Sequence, residues 1–209
     1  LSKINKIKKY KDLFFFIKKI KYFVFKAIYF LLRNFLNLYI FIKYRPSSLQ
    51  YDFHDSKLLL EFGGGETPSR RYEGFLNVDI RPLESVDIVC DIDLILNRVK
   101  PKSVSAIFSR HFLEHLTEIE LKKHFENCRI MLCDEGVLEG IVPSTEFHIV
   151  QLISSEPGSM LYKHSFAGFN GWQRDQDIGY WDVHKSTFTY SSLKYLLTNS
   201  GFEIKFKKT

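Results

Sequence analysis

The chain has 209 residues, enough for one ordinary domain and an extension, and its 45% apolar and 26% charged residues are typical of a globular protein. Its formal net charge of +6 is uneven, because residues 1–50 carry 12 Lys and Arg against one acid, whereas residues 51–209 carry 18 against 23 acids. This distribution excludes a protein that is basic throughout. Three scattered cysteines, none in a CxxC pair, are typical of the reducing cytoplasm.

Residues 1–50 have apolar side chains at helical spacing with basic side chains between them, which predicts a basic amphipathic helix followed by a linker. Such a helix can lie in the interface of an anionic membrane, span the bilayer or pack on a protein. Lys26 and Arg33 offset most of the free energy of insertion, which favours interfacial binding through residues 1–45. A continuous apolar stripe disfavours nucleic acid, and the lack of a small-residue cleavage site disfavours a signal peptide.

A strand, a glycine turn and a second strand that ends in an acid follow one another in residues 57–80. Leu58 to Leu60 form an apolar run typical of a strand buried on both faces, and Gly63, Gly64 and Gly65 come soon after it. The turn can be a bare loop or a place where a nucleotide approaches the backbone. Phe75 to Val78 form the next strand, and Asp79 at its end favours the nucleotide, because a carboxylate can accept both hydroxyls of a ribose.

The same segment disfavours a nicotinamide dinucleotide as the ligand. Pro68 stands where the dinucleotide fingerprint has its third glycine. The 12 residues from Gly63 to Gly74 also leave room for only a turn or two of helix. A nucleotide-binding oxidoreductase is therefore the weaker interpretation.

Two further strands follow. Val86 to Cys90 form a third strand with Asp91 directly after it, and Ser105 to Phe108 form a fourth, after which residues 109–111 turn into a predicted helix. In that helix His111, Glu114 and His115 spell HxxEH, a pattern in which two histidines one helical turn apart bind zinc.

This motif predicts, as an alternative function, a zinc hydrolase acting through His111 and His115. A carboxylate ligand would come from Glu135, Glu139 or Glu146. The motif directly follows a strand rather than lying within a long helix, which disfavours the zinc interpretation.

A helix is predicted over Leu121 to Leu132, with Phe125, Ile130 and Leu132 facing inward and its end near Asp134 and Gly136. A fifth strand is predicted from Val137 to Val142.

Residues 145–190 show no clear period and predict an irregular insertion on the acceptor side, whose aromatic and acidic side chains suit either a sugar-binding surface or the packing of a lid. Ser191 or Ser192 is predicted to cap a last helix that stops at Gly201. Phe202 to Phe206 are predicted to form a sixth strand.

In the order and spacing of its motifs, the chain resembles the class I S-adenosylmethionine-dependent methyltransferases, and within them the type 11-like branch often found beside glycan-synthesis enzymes. The matching segments are EFGGG from Glu61, GFLNVDI ending one residue after Asp79, VDIVCDI ending in Asp91 and Ile92, FSRHFLEHL from Phe108, and GVLEGIVPS ending in Ser144. The resemblance implies an α/β Rossmann-like doubly wound, mostly parallel sheet over residues 51–209. It also implies a last antiparallel strand for which no residues remain, so we expect a truncated sequence.

The resemblance further implies S-adenosylmethionine as the cofactor and methyl transfer (EC 2.1.1 type) as the activity. It places Asp79 on the ribose hydroxyls, Asp91 and the backbone of Ile92 at the adenine, and Ser109 at a strand end facing the cofactor. The remaining cofactor-binding residues would be Glu61, Gly63, Gly64 and Gly65. No metal is implied.

For a hydroxyl acceptor, a positioned base should assist the transfer. His111 is the first candidate for that base and His184 the second. We expect the acceptor to be a sugar or glycan-pathway intermediate, and the enzyme to be cytoplasmic and peripheral on the inner face of the membrane. A catalytically inactive, membrane-associated scaffold is the principal alternative.

Overall fold

The computed structural model describes residues 58–172 and 181–205, together with Val24. Internal contacts divide the chain into two units, Leu1–Ser47 and Ser48–Thr209, and every described residue except Val24 belongs to the second. The amphipathic helix predicted for residues 1–50 therefore lies, except for the helical residue Val24, outside the described residues. In the part that is described, no helix has both the length and the hydropathy needed to cross a bilayer.

A five-stranded sheet, parallel throughout, forms the centre of the second unit. Its strands are β1 (Leu58–Phe62), β2 (Leu76–Asp79), β3 (Ile88–Val89), β4 (Val104–Arg110) and β5 (Leu132–Ile141), in the spatial order β3-β2-β1-β4-β5. Along the chain, the first strand, β1, lies in the middle of the sheet, the next two extend outward to β3, and the chain then crosses to β4 on the other side of β1. The strand order therefore reverses at β1. This topology confirms the predicted Rossmann-like α/β fold, and its switch point is the place where such sheets bind ligands.

β1 lies in the core because it is the central strand, with a paired neighbour on each side. Leu60 is opposite Leu76 on one side and Ile107 on the other, and both Leu60 and Phe62 are almost fully buried. Continuous apolar runs of this kind are typical of central parallel strands. The crossover from β1 to β2 contains only the 3₁₀ segment Arg71–Glu73, which confirms that no long helix fits there.

Four α-helices and two further 3₁₀ segments complete the described part. The α-helices are α1 (Glu118–Met131), α2 (Thr145–Ser154), α3 (Met160–Asn170) and α4 (Tyr190–Asn199). The 3₁₀ segments are Ile92–Asn97 and Leu113–His115. The inward face of α1 carries Leu121, Phe125, Cys128 and Met131, which recur at helical spacing and are all buried.

Two predictions around the end of α1 were wrong. Ile130 is 42% exposed rather than inward, because it falls on the opposite side of the helix from Phe125. The helix ends at Met131 rather than near Asp134 and Gly136, since β5 begins at Leu132 and these residues lie in its irregular first half. The register jumps there, with Val104 opposite Leu132 but Ala106 opposite Val137, so the extra residues of β5 are accommodated within the strand.

The predicted irregular insertion over residues 145–190 contains two helices in its described part, α2 and α3, which pack on one another. Ser144 and Ser159 cap them by accepting backbone N–H groups. Helical periodicity was hidden because aromatic and apolar residues occur on exposed faces too, such as Phe147 and Phe166.

The C-terminal elements also differ in detail. Thr189, not Ser191 or Ser192, caps α4, and Ser192 takes the reciprocal position of a capping box. Gly201, in the left-handed region at φ +81°, ends the helix as predicted. Residues 202–205 do not form the predicted sixth strand; Phe202 instead packs edge-on against Phe125 of α1.

Candidate active site

The predicted cofactor residues lie at the carboxyl ends of neighbouring strands. Phe62 of β1 pairs with Val78 of β2 and with Ser109 of β4, and Asp79 pairs with Val89 of β3. Carboxyl ends of parallel strands meet at one edge of a sheet, so the glycine turn after β1, Asp79 at the end of β2, Asp91 after β3, and Ser109 share that edge. Ser109 is buried there.

The glycine turn needs glycine for both conformation and space. Gly63 and Gly65 have φ of +69° and +58°, the left-handed region that favours glycine. A Cβ at Gly64 would lie 2.5 Å from Oδ1 of Asn77, and one at Gly63 would lie 2.6 Å from the ring of Phe112. Asn77 also braces the turn, since its Nδ2 donates to the carbonyl of Gly65 at 2.9 Å. The turn is therefore closely covered by the protein's own side chains.

Glu61, the acid of the glycine motif, is buried and holds the loop that follows it. Its Oε1 accepts the backbone N–H of Ser69 at 2.7 Å, and its Oε2 accepts that of Arg70 at 2.8 Å. Both carboxylate oxygens thus serve the backbone of the loop. Glu61 therefore fixes the backbone of the loop at Ser69 and Arg70.

Asp79 points at the glycine turn but also holds Arg81. Its Oδ2 accepts the N–H of Gly65 at 3.2 Å, and its Oδ1 accepts the N–H of Arg81 at 2.9 Å. The Arg81 guanidinium donates to the same carboxylate, Nε to Oδ1 at 3.1 Å and Nη2 to Oδ2 at 3.0 Å. A ribose can reach Asp79 only if the Arg81 side chain, which is 36% exposed, rotates away.

Asp91 and Ile92 lie where the third strand ends. Asp91 is buried, and its Oδ1 accepts the N–H of Asp93 at 3.1 Å, so it caps the 3₁₀ segment Ile92–Asn97. The carbonyl of Ile92 accepts the side chain of Asn127 at 2.8 Å, which ties this segment to α1. Both residues therefore have structural roles in the same place where the adenine is expected.

The two candidate bases lie around one buried carboxylate. His111 follows β4 in the left-handed region, at φ +52°, and its Nδ1 is 3.2 Å from Oε1 of Glu114. Glu114 is 1% exposed, whereas the His111 side chain is 58% exposed. A left-handed backbone at a non-glycine residue is strained and occurs often at functional sites.

The HxxEH segment does not have the arrangement that a zinc hydrolase of the predicted kind requires. His111 lies outside the 3₁₀ segment Leu113–His115, so the two histidines are not one turn apart on a helix. Glu139 pairs with Arg70 at 2.9 Å, Glu146 accepts the N–H of Tyr190, and Glu135 is exposed on β5.

Among the described residues, the His, Cys, Asp and Glu side chains close enough together to share one ion are Glu114, His115 and His184. The predicted pair His111 and His115 is thereby corrected. The rings of His115 and His184 contact each other at 80°, with centroids 4.9 Å apart. Burial lowers the pKa of His115; Glu114 raises it and nearby His184 lowers it, and because burial is the largest cause the net direction is downward.

Sequence reasoning missed two residues that shape this region, Arg81 and Asn77, and it missed one contact of the predicted residue His184. Arg81 lies two positions after Asp79, a spacing that suggests a local pair. Asn77 lies two positions before Asp79 and carried no specific signal. His184 and Glu114 are 70 positions apart in the chain, and no local sequence pattern predicts their contact.

A shallow surface cavity of about 480 Å³ lies between α2 and α3, lined by residues that include Phe147, Val150 and Leu161. None of its lining residues belongs to the strands or to the turns that follow them, and it is mostly apolar. The converging polar groups of the strand ends are the better guide to chemistry, so we locate the candidate site there.

No protein-family model and no curated protein sequence matches the chain. Among solved structures, the chain is similar to one described as the crystal structure of a SAM-dependent methyltransferase from Archaeoglobus fulgidus. The two share 18% sequence identity with a TM-score of 0.47, over 84% of this chain and 74% of that one.

Proposed function

We propose that the chain is a class I S-adenosylmethionine-dependent methyltransferase. The observation that carries the proposal is the position of Asp79 at the end of β2, with its Oδ2 3.2 Å from the N–H of Gly65 in the turn after β1. A glycine turn and a carboxylate on adjacent parallel strands at a switch point are the parts that bind the ribose of a nucleoside. A second acid, Asp91, follows the next strand outward.

The residues fit such a ligand once Arg81 moves. Asp79 would hold the ribose hydroxyls, Asp91 and the backbone of Ile92 would meet the adenine, and the turn at residues 63–65 would border the methionine part. S-adenosylmethionine supplies a methyl group that its sulfonium has already activated. The protein is then left to position the acceptor and exclude water.

His111 is the base that the geometry favours for a hydroxyl acceptor. Its Nδ1 contacts Glu114, and a buried carboxylate of this kind orients an imidazole and stabilises its protonated form. More than half of the His111 side chain is exposed, so an acceptor hydroxyl can approach its other nitrogen. His184 is the second candidate, since it lies in the same cluster.

The acceptor class is part of the proposal. We assign a sugar or glycan-pathway intermediate at the cytoplasmic face of a membrane, because residues 1–45 combine basic and apolar side chains at helical spacing. The aromatic and acidic side chains between residues 145 and 190 suit a sugar ring.

The test is calorimetric titration of S-adenosylmethionine into the wild type, Asp79→Ala and Arg81→Ala. We expect the wild type to bind and Asp79→Ala to bind more than tenfold more weakly, because charge-assisted hydrogen bonds to the ribose contribute about 1.5 to 3 kcal/mol. Arg81→Ala should bind at least as tightly as the wild type, because its loss frees Asp79 for the ribose.

Glu84→Ala is the matched control, since Glu84 is an exposed acid on the same loop and should leave affinity unchanged. Equal affinity of the wild type and Asp79→Ala would refute the ribose assignment. Weaker binding by Arg81→Ala would show that Arg81 contacts the ligand instead. Methyl release to crude glycan acceptors would exclude the inactive scaffold.

A further inference from the structure

We propose that Glu114, His115 and His184 form a binding site for a divalent transition-metal ion, with Zn²⁺ as the first candidate. One potential ligand atom from each residue lies within 4.8 Å of the other two. Two imidazoles and one carboxylate are one of the ligand sets of three-ligand zinc sites, and the same set also binds iron(II). The inference does not depend on the proposed methyl transfer.

The orientation of the two histidine rings is the first argument. Nδ1 of His115 is 3.2 Å from the carbonyl of Val183, and Nδ1 of His184 is 3.0 Å from the carbonyl of Gly168. A carbonyl oxygen only accepts hydrogen bonds, so each Nδ1 donates a hydrogen, which leaves Nε2 of each ring as the nitrogen available to a metal ion. Metal-binding histidines are held in this way by a backbone carbonyl on their other nitrogen.

The state of Glu114 is the second, independent argument. Its side chain is 1% exposed, and its Oε1 is engaged by His111. Its Oε2 is buried and has no hydrogen-bond partner among the described residues. A buried carboxylate oxygen without a partner is costly, and a cation held by the neighbouring histidines would satisfy it.

The backbone holds the ligands of the two segments together. The carbonyl of Glu114 accepts the N–H groups of Lys185 and Ser186 at 2.8 and 3.0 Å. His184 is therefore fixed beside Glu114 although 70 positions separate them in the chain. In this assignment His184 is a metal ligand, and His111 keeps the role of base through the other carboxylate oxygen.

The distances suit a first-row ion after small side-chain movements. With bonds of about 2.0 to 2.1 Å, tetrahedral ligand atoms lie about 3.4 Å apart, so atoms within 4.8 Å need to approach by little more than 1 Å. Two nitrogen ligands disfavour Ca²⁺ and Mg²⁺, which take oxygen ligands. Three protein ligands leave a coordination position for water or another oxygen.

The test is titration of Zn²⁺ into chelator-treated full-length protein, with Co²⁺ absorption as a readout of tetrahedral nitrogen and oxygen ligation. We expect one Zn²⁺ per chain, a raised melting temperature, and affinity at least 100-fold lower in His184→Ala. Glu114→Gln should also lose affinity; its similar shape keeps the test valid if His184→Ala does not fold. Parallel titrations with Fe²⁺ and Mn²⁺ identify the preferred ion.

His164→Ala is the control, because His164 is an exposed histidine outside the group and its loss should leave affinity unchanged. The proposal is overturned if the wild type does not bind any of the three ions, or if His184→Ala and Glu114→Gln bind as tightly as the wild type. Equal loss in His164→Ala would show adventitious surface binding and would also overturn it. Titration of S-adenosylmethionine into the same variants tests the methyltransferase proposal separately, so that failure of the metal proposal is distinguished from failure of the methyltransferase proposal.

Discussion

At the scale of single residues, the acids that mark the candidate site are also used by the fold. Glu61 satisfies two backbone N–H groups of the loop, and Asp91 caps a 3₁₀ segment. The carboxylate oxygens of Asp79 accept hydrogen bonds from both the glycine turn and Arg81. Substituting Glu61 should therefore lower stability as well as any ligand affinity, because two part-buried N–H groups would lose their acceptor.

His124 provides a residue-scale prediction on pH. It is fully buried in α1 between the rings of Phe62 and Phe112, and burial lowers its pKa from 6.5 to about 4. Between pH 6.5 and about pH 4, His124 binds a proton in the unfolded chain but not in the folded chain. The free energy of unfolding therefore falls as pH falls from 6.5 towards 4, by up to about 1.4 kcal/mol per pH unit from this group.

The measurement is urea unfolding of the wild type and His124→Leu at pH 7 and pH 5. His124→Leu should lose less stability than the wild type over this interval, because leucine cannot take up a proton. An identical loss in both proteins would contradict the prediction, since other buried histidines such as His115 are present in each.

At the scale of elements, helix ends carry information that apolar periodicity lacks. Thr117 caps α1: its Oγ1 accepts the N–H of Glu120 at 3.3 Å, and the Glu120 carboxylate accepts the N–H of Thr117 at 2.8 Å. This reciprocal pair starts α1 at Glu118, three residues before the predicted start at Leu121.

The cap gives an element-scale prediction. Thr117→Ala should lower the free energy of unfolding by about 0.5 to 2 kcal/mol, because it leaves a helical N–H group without an acceptor. Chemical denaturation at neutral pH measures the change. Thr117→Ser keeps the hydroxyl and should retain most of the stability; a Thr117→Ser loss as large as that of Thr117→Ala would rule out the cap as the cause.

At the scale of the whole molecule, charge separates residues 1–50 from the rest. The first segment carries 12 Lys and Arg against a single acid, while residues 51–209 have an excess of acids. Basic side chains near an anionic membrane each contribute about 1 kcal/mol, so the first segment is the part that should bind lipid.

Deleting residues 1–45 should accordingly abolish co-sedimentation with vesicles that contain phosphatidylserine. Wild-type protein should sediment with them and much less with neutral phosphatidylcholine vesicles, and added salt should weaken the binding. Sedimentation of the deletion variant with anionic vesicles would refute the membrane proposal.

The sequence by itself determined the parallel strands, the short first crossover and the acids at the strand ends, because apolar runs, glycine turns and strand length are local properties. Only the tertiary structure decided that Arg81 hydrogen-bonds to the carboxylate of Asp79, that residues 133–136 belong to β5, and that His184 lies beside Glu114. These features depend on packing between chain segments and on competition for the same hydrogen-bond acceptors. The spacing of apolar residues within a short stretch of sequence does not predict these features.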